Sequence, residues 1–246
     1  MKKLNYHNSA VGQAGQDSFV LNVTKEKSEG FYVEIGSALP ITYSNTFLLE
    51  NIYNWKGISI ELNEDFVDDF NRVRSNKCFK ADATKFNYEL FFKENNFPKQ
   101  IDYLQIDIEP PYANLEVLRK LPLSNYRFTV ITFEHDLYSN PDNSGVKESA
   151  HQILRSFGYF RFADNVMVLP TRFSKEWEPF EDWYLDANIA IEYNLKTQFS
   201  NLPWPKLFKF TFSTKLKFYL RKFRTYRYLR KLLDMNKYFH IKRSVN

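Results

Sequence analysis

Cysteine and glycine are what this chain of 246 residues has least of: one cysteine, Cys78, and 7 glycines. A single thiol excludes an internal disulfide and a cysteine-based metal site. Scarce glycine excludes the phosphate-cradling loops. No Gly-x-x-x-x-Gly-Lys-Ser/Thr occurs, and Gly36-Ser37-Ala38-Leu39-Pro40-Ile41 holds one glycine where a dinucleotide fingerprint needs three. Long apolar runs are missing too. Nothing approaches the roughly 18 uninterrupted apolar residues of a spanning helix, and Met1 to His7 lack the apolar run of a signal peptide. The expectation is a cytoplasmic protein. Acid is nearly absent from one stretch: residues 196–246 carry 14 Lys and Arg against Asp234 alone, whereas residues 1–195 carry 20 against 28 acids. An acidic body joined to a basic tail divides the chain into 1–195 and 196–246.

Aromatics are abundant, with 24 Phe, 16 Tyr and 4 Trp, so a large core can form. In the body, short β-rich runs alternate with amphipathic stretches. Strands are expected at 31–36, 57–61, 77–82, 101–108, 128–133, 158–162 and 181–185. Helices are expected at 42–54, from an Asn63 cap to Arg74, and at 86–95, 112–121 and 146–157. This alternation predicts an α/β fold, a doubly wound and mostly parallel sheet. Ligands of such sheets bind at the carboxyl ends of the strands.

That is where acids and one histidine collect. The first strand ends Glu34-Ile35-Gly36-Ser37, the second in Glu61, the third in Asp82, the fourth in Asp107 with Glu109 following, and the fifth in Glu134-His135-Asp136. A glycine at the first end lets backbone approach a ligand. An acid about 25 residues later suits ribose hydroxyls. Each acid singly is as well explained by a helix cap or surface charge; the set is harder to explain that way.

These motifs resemble the FkbM-type S-adenosylmethionine (SAM) dependent methyltransferases. The resemblance runs over residues 12–190, through Gly15-Gln16-Asp17-Ser18-Phe19-Val20, Gly30 to Gly36, Ser44 to Glu50, Trp55 to Glu61, Asp102 to Glu109, Val130 to Asp136, Gly158-Tyr159 and Glu181-Asp182-Trp183. It implies a Rossmann-like class I methyltransferase fold with a seven-stranded sheet and SAM as cofactor. It also implies roles. Glu34, Gly36 and Ser37, with Asn45 nearby, would meet the amino-acid end of SAM; Glu61 the ribose; Asp82 the adenine; Asp107 the methyl donor; Glu109 and His135 the acceptor, a hydroxyl of a sugar, glycan or related metabolite. His135, near neutral pH, suits the work of a base. Its other reading is a histidine bonded to Asp136 or a loop carbonyl. The sequence departs from the family at Asp107-Ile108-Glu109-Pro110-Pro111, where a glycine is usual after the glutamate, and at Ser37-Ala38-Leu39-Pro40. Both departures point to a different acceptor pocket.

Other readings stay open. Asp107, Glu109, Glu134 and His135 are an oxygen-rich set that suits Mg²⁺, although no metal is expected. The tail reads as a basic amphipathic helix over 214–233 behind a linker at Asn201-Leu202-Pro203-Trp204-Pro205. It can pack on the acidic body, lie on an anionic membrane surface through residues 205–246, or meet nucleic-acid phosphates. A silent module that binds a partner through this tail is the alternative to an enzyme. A nucleic-acid methyltransferase is the third reading, disfavoured by the acidic body.

Overall fold

The computed structural model describes residues 3–169, 175–192 and 199–211. Within them the chain runs β1 (Leu4–Asn5), α1 (Gln16–Val23), β2 (Phe31–Ile35), α2 (Phe47–Tyr53), β3 (Lys56–Glu61), α3 (Glu64–Val73), β4 (Lys77–Lys80), α4 (Tyr88–Glu94), β5 (Gln100–Ile106) and α5 (Pro111–Lys120). It continues through β6 (Arg127–Glu134), α6 (Ser144–Ser156), β7 (Tyr159–Val168), β8 (Glu178–Asp186), α7 (Ala187–Glu192), β9 (Phe199–Pro203), α8 (Trp204–Leu207) and β10 (Phe208–Lys209).

The sheet order is β4-β3-β2-β5-β6-β8-β7-β9. β4, β3, β2, β5 and β6 are mutually parallel, and β8 enters antiparallel between β6 and β7. This is a Rossmann-like class I arrangement. Its central strands are near-continuous apolar runs because both faces are covered. Residues of one row share a face. Tyr32, Tyr103, Val130 and Leu185 are cross-strand partners and belong to one core cluster, while Val33, Leu104, Ile131 and Tyr184 belong to the other. On the first face α1 brings Phe19 onto Trp183, with ring centroids 4.4 Å apart and nearly parallel.

Local chemistry sets the helix ends. Asn63 caps α3 as expected, its Oδ1 accepting from the Asp65 N–H at 2.9 Å. α2 begins at Phe47 rather than Thr42, because Ser44 and Thr46 are drawn into side-chain bonding described below. α5 starts on the proline pair, with Pro111 in its first turn.

Two expectations need correcting. The sheet has eight strands rather than seven among the described residues: β9 adds parallel to β7, with Ala163 opposite Phe199 and Met167 opposite Pro203. The segment read as a linker, 201–205, is the end of β9 and the start of α8, and it packs on the body. Trp204, Leu207 and Phe208 join the core cluster that holds Phe19 and Trp183, and β10 pairs with β1. Proline and asparagine suggested a linker, but the aromatics around them decide the outcome through burial. The basic helix expected at 214–233 lies outside the described residues. Among the described residues no helix is long and apolar enough to cross a membrane.

Candidate functional site

Gly36 fixes the geometry at the end of β2. It has φ +85°, and its N–H donates to the Ile60 carbonyl. The next strand passes so close that a Cβ here would stand 1.7 Å from the Asp107 carbonyl oxygen. Only glycine meets both conditions. Ala38 (φ 44°) and Tyr43 (φ 64°) are also left-handed, so the loop from Ser37 to Thr46 holds an unfavourable backbone path.

What holds it is Arg74, at the end of α3. Its side chain is 1% exposed. It donates to Glu50 Oε2 at 2.7–2.8 Å, to the Pro40 carbonyl at 3.0 Å, to Ser44 Oγ at 3.2 Å, to Thr46 Oγ1 at 3.0 Å and to the Tyr32 hydroxyl at 3.3 Å. The Phe70 ring centre lies 4.5 Å from its guanidinium carbon. Burial works to raise the Glu50 carboxyl, but the Arg74 charge overrides it and the group stays below its usual value.

Inside this loop lies a small open cleft of about 160 Å³. Glu34, Gly36, Ser37, Asn45, Gln105 and Asp107 line it. The cleft sits between β2 and β5, where the chain order of the sheet reverses. Glu34 is buried, with its oxygens taking the hydroxyls of Thr46 (2.9 Å) and Ser59 (2.5 Å). Burial pushes it up to about 6 against the opposing pull of Arg74. Asn45 Oδ1 and Gln105 Oε1 are buried without a partner, although Gln105 donates its amide to the Gly36 carbonyl at 3.3 Å. Buried acceptors left unpaired are costly, and both residues line the cleft.

Asp107, half-buried, is the corner between the cleft and a second group. Burial, then Asp136, Glu109, Glu34 and Glu61, push its carboxyl up to about 7. Glu109 is exposed and is likewise raised to about 7, by burial and by the Asp136 carboxyl that it meets. Asp136, 2% exposed at φ 50°, also meets Tyr138, and its Oδ1 is buried without a partner. Asn114 ties this end together, accepting from the Ile108 N–H at 2.8 Å and donating to the Glu134 carbonyl at 3.2 Å.

The expected residues thus divide. Glu34, Gly36, Ser37, Asn45 and Asp107 meet in one cleft, and Glu109 stands beside Asp107. Glu61 is not in the lining: its oxygens accept from the Ala38 N–H (3.1 Å) and the Asn63 N–H (2.9 Å), joining the loop to the α3 cap. Asp82 also lies outside the lining. It accepts from Thr84 and pairs with Lys85 at 2.9 Å, and these bonds hold it down to about 2. His135 is not on the cleft wall either. It is 0% exposed, its Nδ1 accepts from the Leu137 N–H at 3.4 Å, and its Nε2 faces Asp182 Oδ1 at 3.4 Å. The base role expected of it therefore meets a geometric obstacle, since a base must reach the proton it takes. Among the described residues no group of three or more His, Cys, Asp or Glu side chains is placed to hold a metal ion.

Sequence reasoning missed Arg74 and Gln105, and it named Asp136 at a strand end without giving it a role of its own. Gln105 carried a signal, an uncharged polar residue inside Tyr103-Leu104-Gln105-Ile106 at an inward position of a buried strand. Arg74 carried none, because a basic residue closing a helix is ordinary.

No protein-family model matches the chain, and no curated protein matches it. Solved structures are similar in shape at low identity. An O-methyltransferase from Bacillus cereus in complex with S-adenosylhomocysteine (SAH) is 15% identical, with TM-score 0.48, over 73% of this chain and 84% of that one. A prophage-encoded protein of E. coli, named as a DNA modification methyltransferase, is 10% identical at TM-score 0.47; the match spans 65% of this chain and about half, 47%, of that one. The N-methyltransferase NodS from Bradyrhizobium japonicum, with SAH bound, is 10% identical at TM-score 0.45, over 70% and 85%.

Proposed function

We propose that the chain is a SAM-dependent methyltransferase of the FkbM type that methylates a hydroxyl of a sugar, glycan or related metabolite. The observation that carries this reading is the pair of unpartnered acceptors, Asn45 Oδ1 and Gln105 Oε1, in a cleft at the reversal point of the sheet. They fit the ammonium of an amino-acid moiety, which brings the donors they lack. The strand-end motifs of the sequence support the same reading.

When bound, SAM supplies an electrophilic methyl group. The residues of the chain then bind, orient and move a proton. Asn45 and Gln105 would hold the amino-acid end, beside the close approach of Asp107 that Gly36 permits. Glu61 keeps a lone pair on each oxygen for ribose hydroxyls. Asp107, raised to about 7, is matched to accept the acceptor's hydroxyl proton at its carboxylate near neutral pH. Glu109 lies beside it at the mouth. His135 is assigned a positioning role: its Nδ1 accepts from the Leu137 N–H in the turn that carries Asp136. Substrate positioning of this kind is worth up to about 7–11 kcal/mol in favourable cases.

Calorimetric titration of the full chain with SAH tests the reading. Saturable one-to-one binding is expected, together with its loss in Gly36→Ala. Absence of binding by the wild-type chain overturns the enzyme reading in favour of a silent module.

A further inference from the structure

The cleft has a further wall, supplied by the lead-in that precedes α1, and Gln13 stands in its lining. The segment is fixed from beneath. Asp17, fully buried, accepts from the Val11 N–H at 2.7 Å and from the Gly12 N–H at 3.0 Å. Gln16, also buried, accepts from the Ala14 N–H at 2.8 Å. Gly12 pairs with Tyr43, another lining residue, in a single parallel bridge. It passes so close to Asn45 that a Cβ on it would stand 2.8 Å from Asn45 Oδ1. Gly12 and Ala14 are buried, while Gln13 between them is exposed. A tethered backbone thus presents one polar side chain to the cleft, one residue along from the contact with Asn45. The Gln13 amide forms no hydrogen bond among the described residues.

The charge of the lining decides what that amide meets. Its charged members are Glu34 and Asp107, both acids, and no lysine, arginine or histidine is among them. Arg74 lies outside the lining, engaged with Glu50, Pro40, Ser44, Thr46 and Tyr32. An amino-acid moiety carries its ammonium and its carboxylate on one carbon. A site that takes the ammonium at Asn45 must therefore offer the carboxylate a donor close by. The Ser37 and Ser44 hydroxyls already meet Cys78 and Arg74, whereas a glutamine amide brings two N–H groups. We infer that Gln13 holds the carboxylate of the cofactor's amino-acid end, so that the site selects an aminocarboxylate over a plain amine. This rests on the methyltransferase reading and adds to it a residue that sets cofactor specificity. A hydrogen bond from a neutral donor to a carboxylate is charge-assisted, and so among the stronger polar contacts.

Calorimetric titration of the full chain with two ligands that differ by one group tests this. One is SAH; the other is its decarboxylated analogue, S-adenosyl-3-thiopropylamine, which keeps the ammonium. The wild-type chain is expected to prefer SAH by about tenfold or more, the size of one charge-assisted contact. Gln13→Ala should lose about that factor for SAH and stay within about twofold for the analogue. Gln13→Glu sets a third acid against the carboxylate, so SAH should weaken further while the analogue binds at least as tightly as before. Gln13 is exposed, and unchanged thermal unfolding certifies the fold of both variants. No preference for SAH in the wild type, an equal loss for both ligands, or SAH affinity within about twofold of wild type in both variants overturns the inference and leaves the methyltransferase reading standing. Absence of SAH binding by the wild-type chain removes that reading and the inference with it.

Discussion

The loop wall of the cleft and the acidic group that adjoins it at Asp107 are built on opposite electrostatic plans. The wall from Ser37 to Thr46 is organised by a buried cation: Arg74 gathers Glu50, Ser44, Thr46 and the Pro40 carbonyl, and the acid it holds is satisfied. The group from Asp107 to Tyr138, of which Asp107 lines the cleft, gathers acids: burial first, and then the Asp136 charge, raise Asp107 and Glu109. The first plan produces a rigid loop. The second relieves its charge by keeping protons, as the raised Asp107 and Glu109 carboxyls show.

Removing the organiser should give the largest effect. Arg74→Met leaves Glu50 buried without its counter-charge and frees the loop. We expect a loss of about 3–5 kcal/mol in denaturant unfolding, with SAH binding abolished. Stability within about 1 kcal/mol of wild type would show that the two plans do not differ as described. Next comes Gly36→Ala. With a Cβ driven onto the Asp107 carbonyl, about 2–3 kcal/mol is expected, and SAH titration should be flat at temperatures where the variant is folded.

The acids of the cleft should respond to pH in the opposite sense from an ion pair. Glu34, at about 6, and Asp107, at about 7, retain protons in the folded chain that an unfolded chain releases near pH 4. Their contribution is fully present below about pH 4 and is lost as pH rises through 6 to 7. Asp107→Asn should therefore flatten the decline and raise stability at pH 7.5 by on the order of 1–2 kcal/mol, while its methyl-transfer rate falls. Guanidinium unfolding at pH 5 and pH 7.5 measures the first effect. A variant less stable than wild type at pH 7.5 would contradict the account of these acids. The smallest effect is expected at Asp82. Bound to Thr84 and Lys85, it serves its own turn, so Asp82→Asn should change SAH affinity by no more than about twofold. A tenfold loss would return it to the adenine role that the family resemblance implies.

Much of the scaffold was legible because buried parallel strands and capped helices leave strong local patterns. The Asn63 cap, the glycine at 36 and the acids at the strand ends could all be read from spacing. The division of those acids into cleft-lining and self-satisfied groups could not. Glu61 and Asp82 have the same sequence context as Asp107, and only the neighbours that fold against them, Ala38 and Asn63 in one case and Thr84 and Lys85 in the other, separate their roles. His135 misled for a related reason. Its position after β6 was correct, but the antiparallel β8, which sets Glu181 opposite Glu134, brings Asp182 across to meet the ring, and a partner roughly fifty residues away leaves no local trace. The segment 199–209 was hidden by its own turn-forming residues, whose neighbours Phe199, Trp204 and Phe208 find burial only against distant parts of the chain.

The pairing of β10 with β1 has a kinetic consequence. Thr211 Oγ1 and Asn8 Oδ1 lie 3.0 Å apart across 203 residues of sequence, and Phe208 stands opposite Leu4. Contacts of such separation form late, because the entropy of closing the intervening loop must be met first. During synthesis the first strand must wait, unpaired, until nearly the whole body has left the ribosome. The socket for Trp204 and Phe208 is open for that interval. Folding of this protein should therefore end in a slow closing step that docks the 199–209 segment onto the N-terminal strand.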